Sequence, residues 1–233
     1  MKDSYTKIHY NEELRPYSHY SHLLCGLLAD RYFGARSGKL LDVCRGRGEH
    51  IEIFSGLGFD TYGVDKESVA KSRNLNVDVV DVEVEDLPYE DNFFDFIVMK
   101  SAIEHIQNVY HLMDNIYRVL KPGGEILILT CDWKTVYKIF YDDVDHKTPF
   151  TQFSLNDLLL RYDFRDVRVE YFYHLPFTWK SRFFPLIARL IAFLIPINYS
   201  QTVKLNAIIK LIEFSREKQI LGYGKKPLYS NGV

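Results

Sequence analysis

Gly46 and Gly48 follow the apolar run Lys39–Val43 and lead into Glu49. A strand that turns through glycines into a helix lets backbone N–H groups approach a ligand with no Cβ between them, and a helix N-terminus favours a carboxylate or phosphate. The same residues serve equally as a plain strand–helix turn. Asp65 closes Tyr62-Gly63-Val64-Asp65. A carboxylate there can accept both hydroxyls of a ribose, or simply cap a helix from Lys66 onward. Glu83 and Val84 lie in an acidic stretch before Leu87-Pro88. Glu83 can accept from an adenine amino group while the Val84 N–H donates to the ring, or the stretch can be a solvated acidic loop. Two histidines complete the set. His105 follows Glu104 just beyond the apolar run Phe94–Met99, and His146 precedes Lys147-Thr148-Pro149-Phe150. Either can take a hydroxyl proton or position an acceptor. Glu104-His105 also reads as a polar helix start, and His146 as a solvated loop residue.

The elements that must position these residues alternate along the chain. Strands are expected at 39–43, 61–64, 77–80, 94–99 and 125–130, with helices at 49–55, 68–73 and 109–120. Lys121-Pro122-Gly123-Gly124 stops the last helix. A helix over 17–33 precedes this core. A helix over 155–162, a strand over 167–173 and a closing strand over 219–223 follow it. Strands alternating with helices imply a parallel sheet covered on both faces. The fold class expected is therefore α/β: a Rossmann-like, doubly wound, seven-stranded, mostly parallel sheet with an N-terminal helix and an apolar helical insertion near the C-terminus. Residues 1–233 read as one domain, with a core at about 38–175 plus 218–227 and a cap at about 176–217.

Taken together, these residues resemble the class I S-adenosylmethionine (SAM)-dependent methyltransferases, especially those that modify small molecules. The landmarks are Leu41-Asp42-Val43 with Gly46 and Gly48, Asp65, Glu85-Asp86-Leu87-Pro88 with Phe94-Asp95, Ile103-Glu104-His105-Ile106, and Arg118-Val119-Leu120-Lys121-Pro122-Gly123-Gly124. The resemblance implies SAM as cofactor. By it, Asp42, Gly46 and Gly48 surround the methionine part, Asp65 with Lys66 beside it holds the ribose, Glu83 and Val84 face the adenine, and Lys100 lies near the same crevice. Two departures stand out: the family usually has Gly where this chain has Cys44, and often Cys at Arg45. A side chain at 44 crowds the cofactor if the backbone there needs positive φ. Arg45 can instead reach the cofactor carboxylate or a nearby acid. The segment at 101–105 is similar to quinone-pathway O-methyltransferases, whose Glu-x-x-Glu-His pattern binds a divalent metal. Ser101 replaces the first Glu, so no metal is expected. The His146 segment looks like the acceptor loop of small-molecule methyltransferases.

These residues make O-methylation of a small-molecule, sugar or lipid-linked acceptor the preferred reading. Its rivals are C- or N-methylation and a non-catalytic SAM-fold subunit that binds a partner. A formal net charge of −2 offers no basic field for nucleic acid. Three cysteines without metal-type spacing suit a reducing cytoplasm. The first ten residues lack the apolar stretch of a signal peptide. The run from Phe183 to Ile197 is too short to span a bilayer and apolar almost all round, which implies burial. It can be a lid, the lining of an apolar acceptor pocket, or a peripheral membrane contact through 177–197. The oligomeric state is left open.

Overall fold

The computed structural model describes residues 19–34, 37–67, 76–181, 183–194 and 207–228. Helix α1 (His19–Leu28) runs into a wider turn at Ala29–Phe33 and ends on Gly34 in the left-handed region. Strands β1 (Lys39–Val43), β2 (Asp60–Asp65), β3 (Asn76–Val79), β4 (Phe94–Lys100), β5 (Leu120–Cys131), β6 (Arg165–Phe172) and β7 (Gln219–Lys225) form one sheet. Its order is β3-β2-β1-β4-β5-β7-β6, and β7 runs antiparallel to both its neighbours. This is the expected Rossmann-like α/β architecture. The chain winds outward from β1 to β3, then crosses back to β4 on the other side of β1. Ligands bind at such a switch point, beyond the carboxyl ends of the strands.

Residue alternation along the central strands builds the two core layers. Leu41, Val43, Ile97, Met99, Ile126 and Ile128 face helices α3 (Val109–Val119) and α5 (Gln152–Arg161). Leu40, Phe96, Val98, Leu127 and Leu129 face α1 and α2 (Glu49–Gly56). Helix α3 buries Val109, Leu112, Met113, Ile116 and Val119, a single stripe at helical spacing, and the Asn108 side chain caps its start. Asn115 of the same helix is also buried: its Oδ1 accepts from the N–H of Leu87 at 3.0 Å. Arg118 donates to the carbonyls of Leu87 and Tyr89 at 2.8 and 2.7 Å. The Arg118 motif thus fastens the loop after β3 to the helix behind it.

Two expectations change. Strand β5 begins at Leu120 rather than Glu125, because Leu120 already pairs with Phe94 and the Pro122–Gly124 stretch bulges between that pair and Phe96–Glu125. Gly123, at φ +80°, donates to the carbonyl of Lys226, so the run is built into the sheet's end. The helix expected over 68–73 lies outside the described residues.

The second change concerns the insertion. A turn at Pro176–Trp179 leads to α6 (Phe184–Leu194) and, later, α7 (Ala207–Arg216); the one-turn helix α4 (Trp133–Val136) follows β5. Helix α6 was expected to be buried, yet only Ala188 is. Ala188 packs in a small cluster with Tyr173, Leu175, Leu211 and Phe214, a contact on one side only among the described residues. Leu190 and Phe193 remain 57% and 80% exposed. No helix among the described residues is long and apolar enough to cross a membrane.

Candidate active site

The carboxyl ends of β1, β2, β4 and β5 bring the candidate residues to one edge. Beyond β1 the backbone enters the left-handed region at Cys44 (φ +57°), and again at Gly46 (φ +55°) and Gly48 (φ +83°). Cys44 therefore stands where the turn itself favours glycine. Nothing lies within 4 Å of where a Cβ on Gly46 would be. The loop is held open from below. Gly46 N donates to Asp65 Oδ2 at 2.9 Å, and Glu67 N donates to Asp65 Oδ1 at 3.0 Å. Both carboxylate oxygens keep further acceptor capacity. Burial raises the Asp65 pKa, against the pull of those N–H groups and of Arg45. Lys66, next to it, is exposed.

Asp42 is buried, and its Oδ2 has no hydrogen-bond partner among the described residues. Burial pushes its pKa up to about 7; Lys100 and Arg45 oppose the shift and Asp65 adds to it. An orphaned buried carboxylate oxygen beside an open glycine turn is a place for a cationic group. Arg45 is itself buried, donates to the carbonyl of Gly46 at 3.2 Å and lies in the field of Asp65 and Asp42. Its expected reach toward a nearby acid amounts to that field, and its hydrogen bond goes to the Gly46 carbonyl.

Lys100, at the end of β4, acts on more groups than the sequence suggests. His50 is held down to about 3 by burial first, then by Lys100 and Arg47. His174 is held down to about 3 by burial and Lys100. His174 Nδ1 is hydrogen-bonded to the hydroxyl of Tyr20 from α1. Trp179 packs on Tyr20 and Phe172 with ring centroids at 5.6 and 5.3 Å, and its Nε1 donates to the carbonyl of Tyr173 at 2.8 Å. Trp179 thus joins the insertion to α1. Tyr20 and His174 are 154 residues apart, and no local spacing signals their meeting. His50, two residues past Gly48 on α2, is not among the residues the sequence singles out.

On the other side of the edge, Glu104 and His105 form a single turn after β4, and His146 arrives from the loop after β5. The two imidazole centroids are 4.6 Å apart. Glu104 is buried, and its Oε2 accepts from the Thr130 hydroxyl at 2.8 Å. Burial lowers the His105 pKa, with Glu104 opposing, so His105 is neutral near pH 7. Lys147, next to His146, pairs with Glu83. Burial pushes the Glu83 pKa up, but Lys147 and the N–H of Gln107 outweigh it and hold it below the usual range. Val84 is exposed and its N–H donates to the carbonyl of Asp81 at 3.0 Å. That N–H is occupied by a turn rather than aimed at a ring. The structure therefore unites His105, Glu104 and His146 in one cluster, gathers Asp42, Gly46, Gly48 and Asp65 in another, and sets Lys100, at the end of β4, in the field of Asp42.

A family model for the methyltransferase domain matches residues 17–169. The chain belongs to this family. The methyltransferase domain is 29% identical over 136 residues to a ubiquinone/menaquinone biosynthesis C-methyltransferase of Haemophilus ducreyi, covering 52% of this chain and 51% of that one. It thus spans about half the length of the curated relatives it matches. A SAM-dependent methyltransferase of Archaeoglobus fulgidus has the same fold, with a TM-score of 0.64 at 20% identity over 96% of this chain and 100% of that one. The phosphoethanolamine N-methyltransferase 2 of Haemonchus contortus, solved with SAM, gives 0.59 at 20% identity over 88% of this chain and 52% of that one. The methyltransferase domain's own residues fit SAM on two observations. The space above Gly46 is open, and the partnerless Asp42 oxygen suits an ammonium group.

Proposed function

We propose that this chain transfers the methyl group of SAM to a hydroxyl on a small-molecule, sugar or lipid-linked acceptor. The observation that carries the reading is the meeting of His105 and His146, with Glu104, at the sheet edge that also holds the open glycine turn. In this reading Asp42, Gly46 and Gly48 hold the methionine part, Asp65 the ribose and Glu83 the adenine. When bound, SAM supplies a methyl group on a sulfonium that is its own leaving group. The chain's task is then alignment, exclusion of water and removal of the acceptor's proton. The His146 Nδ1 lies 2.6 Å from the carbonyl oxygen of Phe140. A carbonyl only accepts, so Nδ1 carries the hydrogen and Nε2 keeps a lone pair for that proton. The exposed apolar face of α6 supports an acceptor with an apolar part.

The second reading, methyl transfer to a ring carbon, is favoured by the C-methyltransferase relatives. The deciding experiment offers the full chain sugars, phenols and polyprenyl quinols with SAM. S-adenosylhomocysteine is measured by mass spectrometry and the product by NMR. An O-methyl product that falls at least about 100-fold in His146→Ala supports the proposal. A C-methyl product moves the chemistry to the second reading. No product with any acceptor class, from protein that binds SAM, rejects both.

A further inference from the structure

The geometry points to a divalent-cation site formed by Glu104, His105 and His146. One donor atom from each lies within 4.8 Å of the other two. An ion about 2.1 Å from three such ligands holds them about 3.0–3.4 Å apart. The widest donor pair therefore needs to close by at most about 1.4–1.8 Å when an ion binds.

The surroundings already fix the ligands in the form a cation needs. His146 donates through Nδ1 to the carbonyl of Phe140, which in the neutral ring leaves the lone pair on Nε2. His105 is hydrogen-bonded to the backbone of Asp145. Glu104 receives the Thr130 hydroxyl on Oε2. A far imidazole N–H on a backbone carbonyl is the common means of orienting ligating histidines. The two contributing segments are also tied to each other. The N–H groups of Lys147 and Thr148 both donate to the carbonyl of Glu104, at 2.8 and 3.0 Å, and the Thr148 hydroxyl donates to the carbonyl of Ile106 at 2.6 Å. The cluster is thus strapped together by bonds that involve none of its donor atoms.

The donor set selects the ion. Two imidazoles and one carboxylate suit borderline ions such as zinc, cobalt, manganese or ferrous iron, whereas magnesium and calcium favour oxygen ligands. Ser101 removes a carboxylate from the local pattern, and His146 supplies a third ligand from 41 residues beyond His105, where no local spacing reveals it. Three protein ligands leave a position open for an acceptor oxygen; with the His146 lone pair on the ion, His146 no longer serves as the base, and the ion's charge instead lowers that oxygen's pKa so that water takes the proton. This last role rests on the methyl-transfer reading; cation binding does not.

Purified full chain, stripped with chelator and titrated with Co²⁺, provides the test. One Co²⁺ per chain, with visible d–d absorption, is the expected result. His146→Ala and His105→Ala each weaken binding by at least about 100-fold. His22→Ala, on the exposed side of α1, leaves it unchanged. Melting without metal reports the fold of each variant, and His105→Asn replaces His105→Ala if the latter does not fold. Absence of the absorption, or equal binding in folded His105 and His146 variants, overturns the site. Methyl transfer in a chain that does not bind Co²⁺ rejects the cation and spares the proposed function. Co²⁺ binding in a chain that forms no S-adenosylhomocysteine does the reverse.

Discussion

Cys44 holds the left-handed backbone at φ +57° between β1 and Gly46, where glycine sits at no steric cost. A non-glycine residue there costs about 1–2 kcal/mol. Cys44→Gly removes that cost, but it frees the unfolded chain and loses the packing of Cys44 on the core, which together offset about as much. Its stability should therefore stay within about 1 kcal/mol of the parent. A β-branched side chain cannot settle at this φ, so Cys44→Val should lose about 2 kcal/mol or more. Urea denaturation of the two variants checks this. Equal midpoints would show that the turn does not need positive φ at 44. The turn is also where the sequence is most legible: Gly46 and Gly48 announce themselves because a sharp strand–helix turn demands glycine, and both take positive φ. Tyr20 and His174 announce nothing, since only the closed fold brings α1 to the end of β6.

At the scale of elements, Gly63 shows how tightly β2 is fitted to the turn. A Cβ at Gly63 would lie 2.2 Å from Ile51 Cδ1 and 2.8 Å from Arg45 Cδ. Gly63→Ala should therefore destabilise by about 1–3 kcal/mol. Valine lacks the Cδ1 that clashes, so adding Ile51→Val should recover part of the loss; strictly additive effects in a double-mutant cycle would reject this packing. Strand and helix positions were readable because the core strands alternate and α3 keeps a single stripe. The start of β5 was not, since Pro122 and the two glycines read as a stop, and only pairing with β4 and Lys226 makes them a bulge. The insertion misled for a related reason. Uniform apolarity implies a covering, but it does not say that this chain provides it. Because Leu190 and Phe193 are exposed, replacing both with Ser should change stability by no more than about 0.5 kcal/mol each. If an apolar acceptor or lipid covers them, KM for a lipid-linked acceptor should rise about tenfold or more while SAM affinity holds. An unchanged KM would remove α6 from the acceptor side.

Across the whole molecule, buried ionisable groups should give the fold a stability maximum in mildly acid solution. Glu217, raised to about 7 by burial and then by Glu213, and Asp42, also raised to about 7, bind protons in the folded state that they lose unfolded. Stability linked to them is present below their unfolded values and is lost as pH rises through 7. His50 and His174, lowered to about 3, act in the opposite sense: their contribution is present above the usual 6.5 and is lost as pH falls toward 3. The melting temperature should therefore fall on both sides of a plateau between about pH 5 and 6.5, and Glu217→Gln should shallow the fall on the alkaline side. Ligand binding tests which part of this belongs to the proposed cofactor site. If Asp42 faces the amino group of the nucleoside, binding favours its ionised form, and affinity should increase from pH 5.5 to pH 8. The thermal shift given by S-adenosylhomocysteine should then be larger at pH 8 than at pH 5.5. Asp42→Asn, which cannot titrate, should remove that difference and weaken binding at pH 8 most. An equal shift at both pH values in the parent chain would take Asp42 away from the ligand and leave its buried oxygen to Arg45 and Lys100.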